Sequence, residues 1–329
     1  MISCGSAIET SFIALALALS LYTIVASHLW LTDAAKLKYV TSMRKSLIYA
    51  IMAIAAILGA GTAMACYPGQ NAKDKEKKVE RTHSIKAFTR LEVNGPIDIK
   101  FVQGKKASMR IVGKKSLADD VVVKQNGGTL TVSSKGHDFN TFNIEGVTIK
   151  QRDNRNVTIY LSTPNITDVT VADSGGFYAD GNISGSKLNF NLNGSGDVRL
   201  HKVTCDRLSL NLRGSGDIDA DEATCSSAAL YVFGSGDLDT HNLKARNVDM
   251  QMKGSGDLDA NLSSVDNTSI ALLGSGDIDV EFANCGSADC MLRGSGDIEL
   301  SGTLHSLSKS TTGTGDIDVS KLKVKRTRD

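Results

Sequence analysis

The chain has 329 residues, with 37 Lys and Arg against 36 Asp and Glu and a formal net charge of +1. That balance leaves no whole-chain field to hold nucleic acid or an acidic membrane. Aromatic residues are only 5% of the chain, and the single tryptophan, Trp30, lies in an N-terminal apolar region, which argues against a globular enzyme with a large aromatic core.

The N-terminus is expected to be a targeting segment. Met43-Arg44-Lys45 opens a short basic region, Ser46 to Gly61 is an apolar run, and Ala63-Met64-Ala65 follows. Residues 43–66 thus carry the n-region, h-region and small-residue cleavage site of a bacterial secretory signal. Thr62-Ala63-Met64-Ala65-Cys66 fits a permissive lipobox that would place a lipid anchor on Cys66. Ala63 stands where Leu is commoner, so ordinary cleavage after Ala65 is the alternative. Residues 1–42 hold a second apolar stretch, Phe12 to Leu31. Either Met43 is the true start or the chain has two membrane spans; the signal beginning at Met43 favours the first. Residues 67–87, rich in Lys and Glu up to Arg81 and without apolar period, read as a solvated tether.

Strand patterns begin near Phe88. Leu91-Glu92-Val93 and Ile97 to Phe101 alternate apolar and polar, Gln103-Gly104-Lys105-Lys106 forms a turn, and Met109 to Val112 follows. Val121-Val122-Val123 and Leu130-Thr131-Val132 flank Asn126-Gly127-Gly128, a hairpin pattern. Val157 to Leu161 and Val169-Thr170-Val171 continue the series, and no long 3.6-residue apolar period follows residue 66. The class is all-β.

From there the chain repeats. Gly-Ser-Gly-Asp starts at Gly194, Gly214, Gly234, Gly254, Gly274 and Gly294, every 20 residues; Gly313-Thr314-Gly315-Asp316 arrives one residue early and Ser174-Gly175-Gly176 is a decayed copy. Apolar columns run in phase: Leu188, Leu208, Ala228 and Val248; Phe190, Leu210, Leu230, Met250, Ile270 and Cys290; Leu192, Leu212, Val232, Met252, Leu272 and Leu292. After each glycine corner come Val198, Ile218, Leu238, Leu258, Ile278, Ile298 and Ile317, then Leu200, Ala220, Thr240, Ala260, Val280, Leu300 and Val319. Cys205, Cys225, Ala245, Val265 and Cys285 close the rung, with the thiols expected as small core fillers. One repeat cannot bury its own apolar face, so repeats must stack. The expectation is a single-domain parallel β-helix over 88–320, one 20-residue coil per repeat: 88–170 irregular coils or a cap, 171–320 regular. At about 4.8 Å per coil the rod would be roughly 35–40 Å long. The pattern does not set the hand of the coil; right-handed is the expectation. A β-propeller needs about 40 residues per blade. The basic tail 321–329 is expected to cover the open sheet edge.

These residues resemble a known family. Leu91-Glu92-Val93-Asn94-Gly95-Pro96-Ile97-Asp98-Ile99, the Gln103-Gly104 turn, Gly127-Gly128-Thr129-Leu130, Thr163-Pro164-Asn165-Ile166 and the Gly-Ser-Gly-Asp series are similar to the bacterial "putative auto-transporter adhesin, head GIN domain" family. The resemblance implies a parallel β-helix exported to the cell envelope of Bacteroidetes-like bacteria. It brings no catalytic or ligand residues.

Two acidic columns follow each corner. One is Asp197, Asp217, Asp237, Asp257, Asp277, Asp297 and Asp316; beside it, begun by Arg199, run Asp219, Asp239, Asp259, Asp279, Glu299 and Asp318. Stacked like charges repel by about 1 kcal/mol per pair even at a dielectric near that of water. Turn chemistry offers one offset, with glycine freeing the corner and the Ser hydroxyl and Asp carboxylate accepting corner N–H groups. Calcium between carboxylates of neighbouring coils offers another, and no other cofactor is implied. The Gly-Gly-x-Gly-x-Asp calcium roll is only superficially similar, with a nine-residue period.

No Ser/His/Asp arrangement or zinc-ligand spacing stands out, and 188–312 leave no room for a catalytic insertion. His201 and His241 share a column and read as surface residues. The leading functional expectation is a non-catalytic envelope adhesin or scaffold. It would bind glycan or protein through a flat ladder face at Asn191, Asn193, Asn211, Arg213, Tyr231 and Phe233, and meet the membrane only through its signal or anchor. A polysaccharide-active β-helix enzyme and a purely structural spacer are the alternatives.

Overall fold

The computed structural model describes residues 78–135, 139–144, 147–152 and 157–327, with side chains placed outside 139–152 and 326–327. The expected signal segment 43–66, the Cys66 anchor, the extension 1–42 and the tether up to residue 77 lie outside these residues. Among the described residues, no helix is long and apolar enough to cross a membrane.

The repeat builds a β-solenoid of about eight parallel coils. Each regular coil contributes to three ladders. In the first, Leu210 stands between Phe190 below and Leu230 above. In the second, Val198, Ile218, Leu238, Leu258, Ile278, Ile298 and Ile317 pair in succession. The third adds a core column absent from the expected set: Ile183, Val203, Ala223, Leu243, Leu262 and Phe282 are all buried. Alternation within a strand gives even offsets, but Val203 lies three residues after Leu200, because the chain turns a corner between them and the inward parity flips. Each wholly buried Leu, Ile or Val contributes roughly 1.5–3 kcal/mol relative to exposure, and only stacking achieves that burial.

Glycine at the corner is a matter of space. Coils approach so closely there that a β-carbon on Gly214 would overlap the Gly194 carbonyl oxygen, and one on Gly216 the Gly196 carbonyl oxygen. Gly214 also adopts φ +138°, a region closed to side chains with a β-carbon. The corner ladder is made by backbone: Ser215 donates to Gly194 at 2.9 Å, Ser235 to Gly214 at 2.8 Å and Ser255 to Gly234 at 2.9 Å. The decayed Ser174-Gly175-Gly176 copy is a true corner, since a β-carbon on Gly175 would overlap the Gly95 and Ile97 carbonyls below it.

The N-terminal coils stack out of sequence order. Arg90–Asn94 lies between Thr129–Ser134 and Asp168–Asp173, parallel to both. Likewise Ile97–Gln103 lies between Val157–Thr163 and the start of the Gly176–Gly194 strand. The hairpin at Gly127-Gly128 forms, pairing Val121–Asn126 with Thr129–Ser134. Two boundaries differ from expectation. Lys78–His83, inside the expected tether, is a strand antiparallel to Ser108–Lys114, with Val79 half-buried against the core. Leu322–Thr327, inside the expected tail, adds a parallel strand from Gly302↔Leu322 to Leu307↔Thr327. Both follow from the exposed hydrogen-bonding groups of a sheet edge, which any short alternating segment can satisfy. Phe101, Phe177 and Phe190 form an aromatic stack in the core near this end, with centroids 5.4 and 5.9 Å apart.

Candidate functional site

The corner geometry separates the two acidic columns. In the first, Asp237 Oδ1 accepts the Asp257 backbone N–H at 3.0 Å, Asp277 Oδ1 that of Asp297 at 2.9 Å, and Asp297 Oδ1 that of Asp316 at 2.8 Å. These carboxylates are corner acceptors, and each charge is held by an amide of the next coil. The expected role of the Ser hydroxyls differs. The serines of the corner column are exposed, and Ser235 and Ser255 face one another at 3.2 Å. Their contribution to the corner ladder comes from the backbone N–H.

From Asp219 to Glu299 the second column has no such amide partners among the hydrogen bonds described. Burial, and then the neighbouring carboxylates, push Asp239, Asp259 and Asp279 above the ordinary carboxylate value. At the end of the column the Ser320 amide and hydroxyl hold Asp318 below it. Lys321 reaches Glu299 at 2.5 Å, so the last coil is locally neutralised.

A flat, open groove of about 660 Å³ crosses the outward face of the first ladder, lined by Asn189, Ser209, Tyr231, Asn247 and Asp249 among others. The predicted ligand-face residues share this face. Asn211 donates to Asn191 and to Ser209, each at 3.0 Å; Asn267 donates to Asn247 at 3.0 Å; and Ser287 donates to Asn267 at 2.9 Å. In-register amides therefore chain from coil to coil. The Tyr231 hydroxyl donates to Asp249 at 2.6 Å, and that bond with partial burial pushes the phenol up to about 12. The Tyr231 and Phe233 rings lie 6.3 Å apart, and the Arg213 guanidinium stands 5.2 Å from the Phe233 ring. Asn193 lies exposed at the corner end. Sequence reasoning stopped this face at Phe233; the groove continues to Asn267, Ser287 and Asp289, since the same outward columns run on through later coils.

The expected thiol column is filled as a core position at Cys285 and less completely at Cys205 and Cys225, which pack against the core. Cys285 and Cys290 are buried, but Cys205 and Cys225 are only partly so, and all four are free. Cys205 and Cys225 are hydrogen-bonded neighbours on adjacent coils; that bond and burial raise the Cys205 thiol.

Crystal structures of a "putative adhesin" from Bacteroides fragilis NCTC 9343 (21% identity, 75% of this chain, 100% of that one, TM-score 0.53) and from Parabacteroides merdae ATCC 43184 (21%, 75% and 98%, TM-score 0.61) share the fold. So does a "putative lipid binding protein" from Parabacteroides distasonis ATCC 8503 (23%, 74% and 96%, TM-score 0.58). None of the curated proteins matches the chain. The model of one family matches residues 87–266 and again 259–328. With well over half its length so matched, the chain belongs to the family described as "Putative auto-transporter adhesin, head GIN domain".

Proposed function

We propose that this solenoid is an exported, non-catalytic adhesin or scaffold of the cell envelope that binds a glycan or an extracellular protein through its flat first-ladder face. The observation that carries the proposal is the Tyr231–Phe233–Arg213 cluster beside a ladder of in-register amides. Half-buried rings on a flat β-face still offer a surface to stack on sugars, and amides supply paired donors and acceptors to hydroxyls. The uniform coils, without a projecting catalytic loop between residues 188 and 312, favour binding over turnover.

Calcium enters this reading through the second acidic column. Asp239, Asp259 and Asp279 lack the amide partners of the first column and repel one another, and a hard oxygen-bound cation would relieve that. Lipidation at Cys66 would make the anchor the only membrane contact.

The test is binding of the purified protein to a panel of glycans and matrix proteins, in calcium and again in EDTA. Saturable binding weakened about tenfold by Tyr231→Ala supports the adhesin. Turnover of any polysaccharide would replace it with the enzyme reading, and silence across the panel with the spacer.

A further inference from the structure

Coil stacking brings together a set of side chains that the sequence scatters. The outward column His201, Asp221, His241 runs beside Arg199, Asp219, Asp239 across three consecutive coils. Single ligand atoms of Asp219, Asp221 and His241 all lie within 4.8 Å of one another. His241 Nε2 is 3.2 Å from Asp219 Oδ1. His201 Nδ1 is 2.7 Å from Asp221 Oδ2.

Three observations set this cluster apart from an ordinary charged surface. First, Asp219 Oδ1 is sealed from solvent and accepts no well-aligned hydrogen bond, the His241 Nε2 standing 3.2 Å from it, although its side chain as a whole is 38% exposed. A covered carboxylate oxygen facing an imidazole nitrogen is satisfied either by a proton on that nitrogen or by a metal ion held between the two. Second, the cation stacked in register beneath it does not supply that charge: the Arg199 guanidinium is directed to Asp197 at 3.7 Å and to the Tyr178 ring at 5.9 Å. Third, the imidazoles are not a requirement of the repeat. Later coils carry Asn261, Glu281 and Ser301 at the equivalent position and stack equally well.

We infer that Asp219, Asp221 and His241 form a binding site for one divalent d-block cation such as zinc, with His201 positioning Asp221. Mixed imidazole and carboxylate donors suit such a metal better than calcium, which takes oxygen ligands alone. Three side-chain donors leave a coordination position facing the shallow recess of about 270 Å³ lined by Asp180, Arg199 and His201. The His201–Asp221 hydrogen bond orients the carboxylate, as outer partners of metal ligands do. This site is independent of the ligand face and shares only Asp219 with the second acidic column, so calcium at Asp259 and Asp279 can fail without touching it.

The test uses the full chain, stripped with chelator and titrated with zinc alone by calorimetry, with metal content measured on the dialysed product. The expected result is one saturable site, retained in excess calcium and weakening at acid pH, because protons compete with the metal for its ligands. His241→Gln and Asp219→Asn should each weaken zinc at least tenfold, and His201→Ala several-fold. All four side chains face outward, so circular dichroism and zinc-free melting of the variants should match the parent. As a readout that needs no variant, zinc should protect one histidine of the parent from acylation by diethyl pyrocarbonate. No saturable site, or parental affinity in both His241→Gln and Asp219→Asn, overturns the proposal and leaves the cluster as two ordinary ion pairs.

Discussion

Gly214 stands directly over Gly194: the next residue, Ser215, donates to the Gly194 carbonyl at 2.9 Å, and a β-carbon on Gly214 would overlap the same oxygen. Hydrogen bond and close approach are one arrangement, so the corner cannot be relaxed without losing the ladder. Gly214→Ala is expected to cost about 2–4 kcal/mol, combining backbone strain with separation of the coils. Gly181→Ala is the control, since a β-carbon there meets nothing within 4 Å. Urea unfolding of both variants checks the contrast; equal midpoints would contradict it.

Two core positions carry a hydroxyl without a partner. Thr240 and Thr268 are buried at 2% and 4% exposure, and their Oγ1 atoms have no hydrogen bond. Thr163 is equally buried yet donates to the Phe88 carbonyl at 2.8 Å and accepts its N–H at 3.2 Å. Thr240→Val and Thr268→Val should therefore stabilise by about 1 kcal/mol each, while Thr163→Val should destabilise by a similar amount. Thermal melting of the three variants decides.

The second acidic column sets a pH dependence. Asp239, Asp259 and Asp279 hold protons more tightly folded than unfolded. Acidification from neutrality into the carboxylate range therefore adds stability through these three groups. Raising the pH back through their folded values removes it. Asp318 and Glu222, shifted down, act in the opposite sense at lower pH. Asp259→Asn should raise the melting temperature at pH 7 and flatten the acid-side gain. A melting temperature that falls steadily from pH 7 to the carboxylate range in the parent would refute this.

The ligand face makes a separable prediction. Tyr231→Ala and Phe233→Ala should lower affinity for whichever glycan or matrix protein the panel identifies by about tenfold each, in line with stacking contributions of roughly 1 kcal/mol or more. Both residues face outward, with the alternate inward positions filled by Leu230 and Val232, so the melting temperature should move little. Surface plasmon resonance beside calorimetric melting separates the two effects.

The repeat was legible because stacking forces identical residues to recur in register: the glycine corners, the Val198-to-Ile317 column and the all-β class could all be taken from spacing alone. The Ile183-to-Phe282 column escaped because a corner breaks the even offset on which strand reading depends. The order of the N-terminal coils escaped for a different reason. Arg90 pairs with Asp168, 78 residues away, and no periodicity marks that distance. His201 and His241 were visible as a column. Their relation to Asp219 was not, because it depends on side chains of neighbouring coils leaning together.

The out-of-order stacking of Arg90–Asn94 and Ile97–Gln103 gives the assembly of the molecule a direction. A regular coil needs only its predecessor, a contact across 20 residues, and adds at small loop-closure cost. The first template does not exist until the segment near residue 178 has returned to pair with the one near 98. Nucleation is therefore expected to be slow and confined to the segments between residues 90 and 178, with the remaining coils winding on rapidly behind it. A chain cut short after any regular coil would keep a folded stub, whereas one that loses the 90–103 segment would have no surface on which to begin.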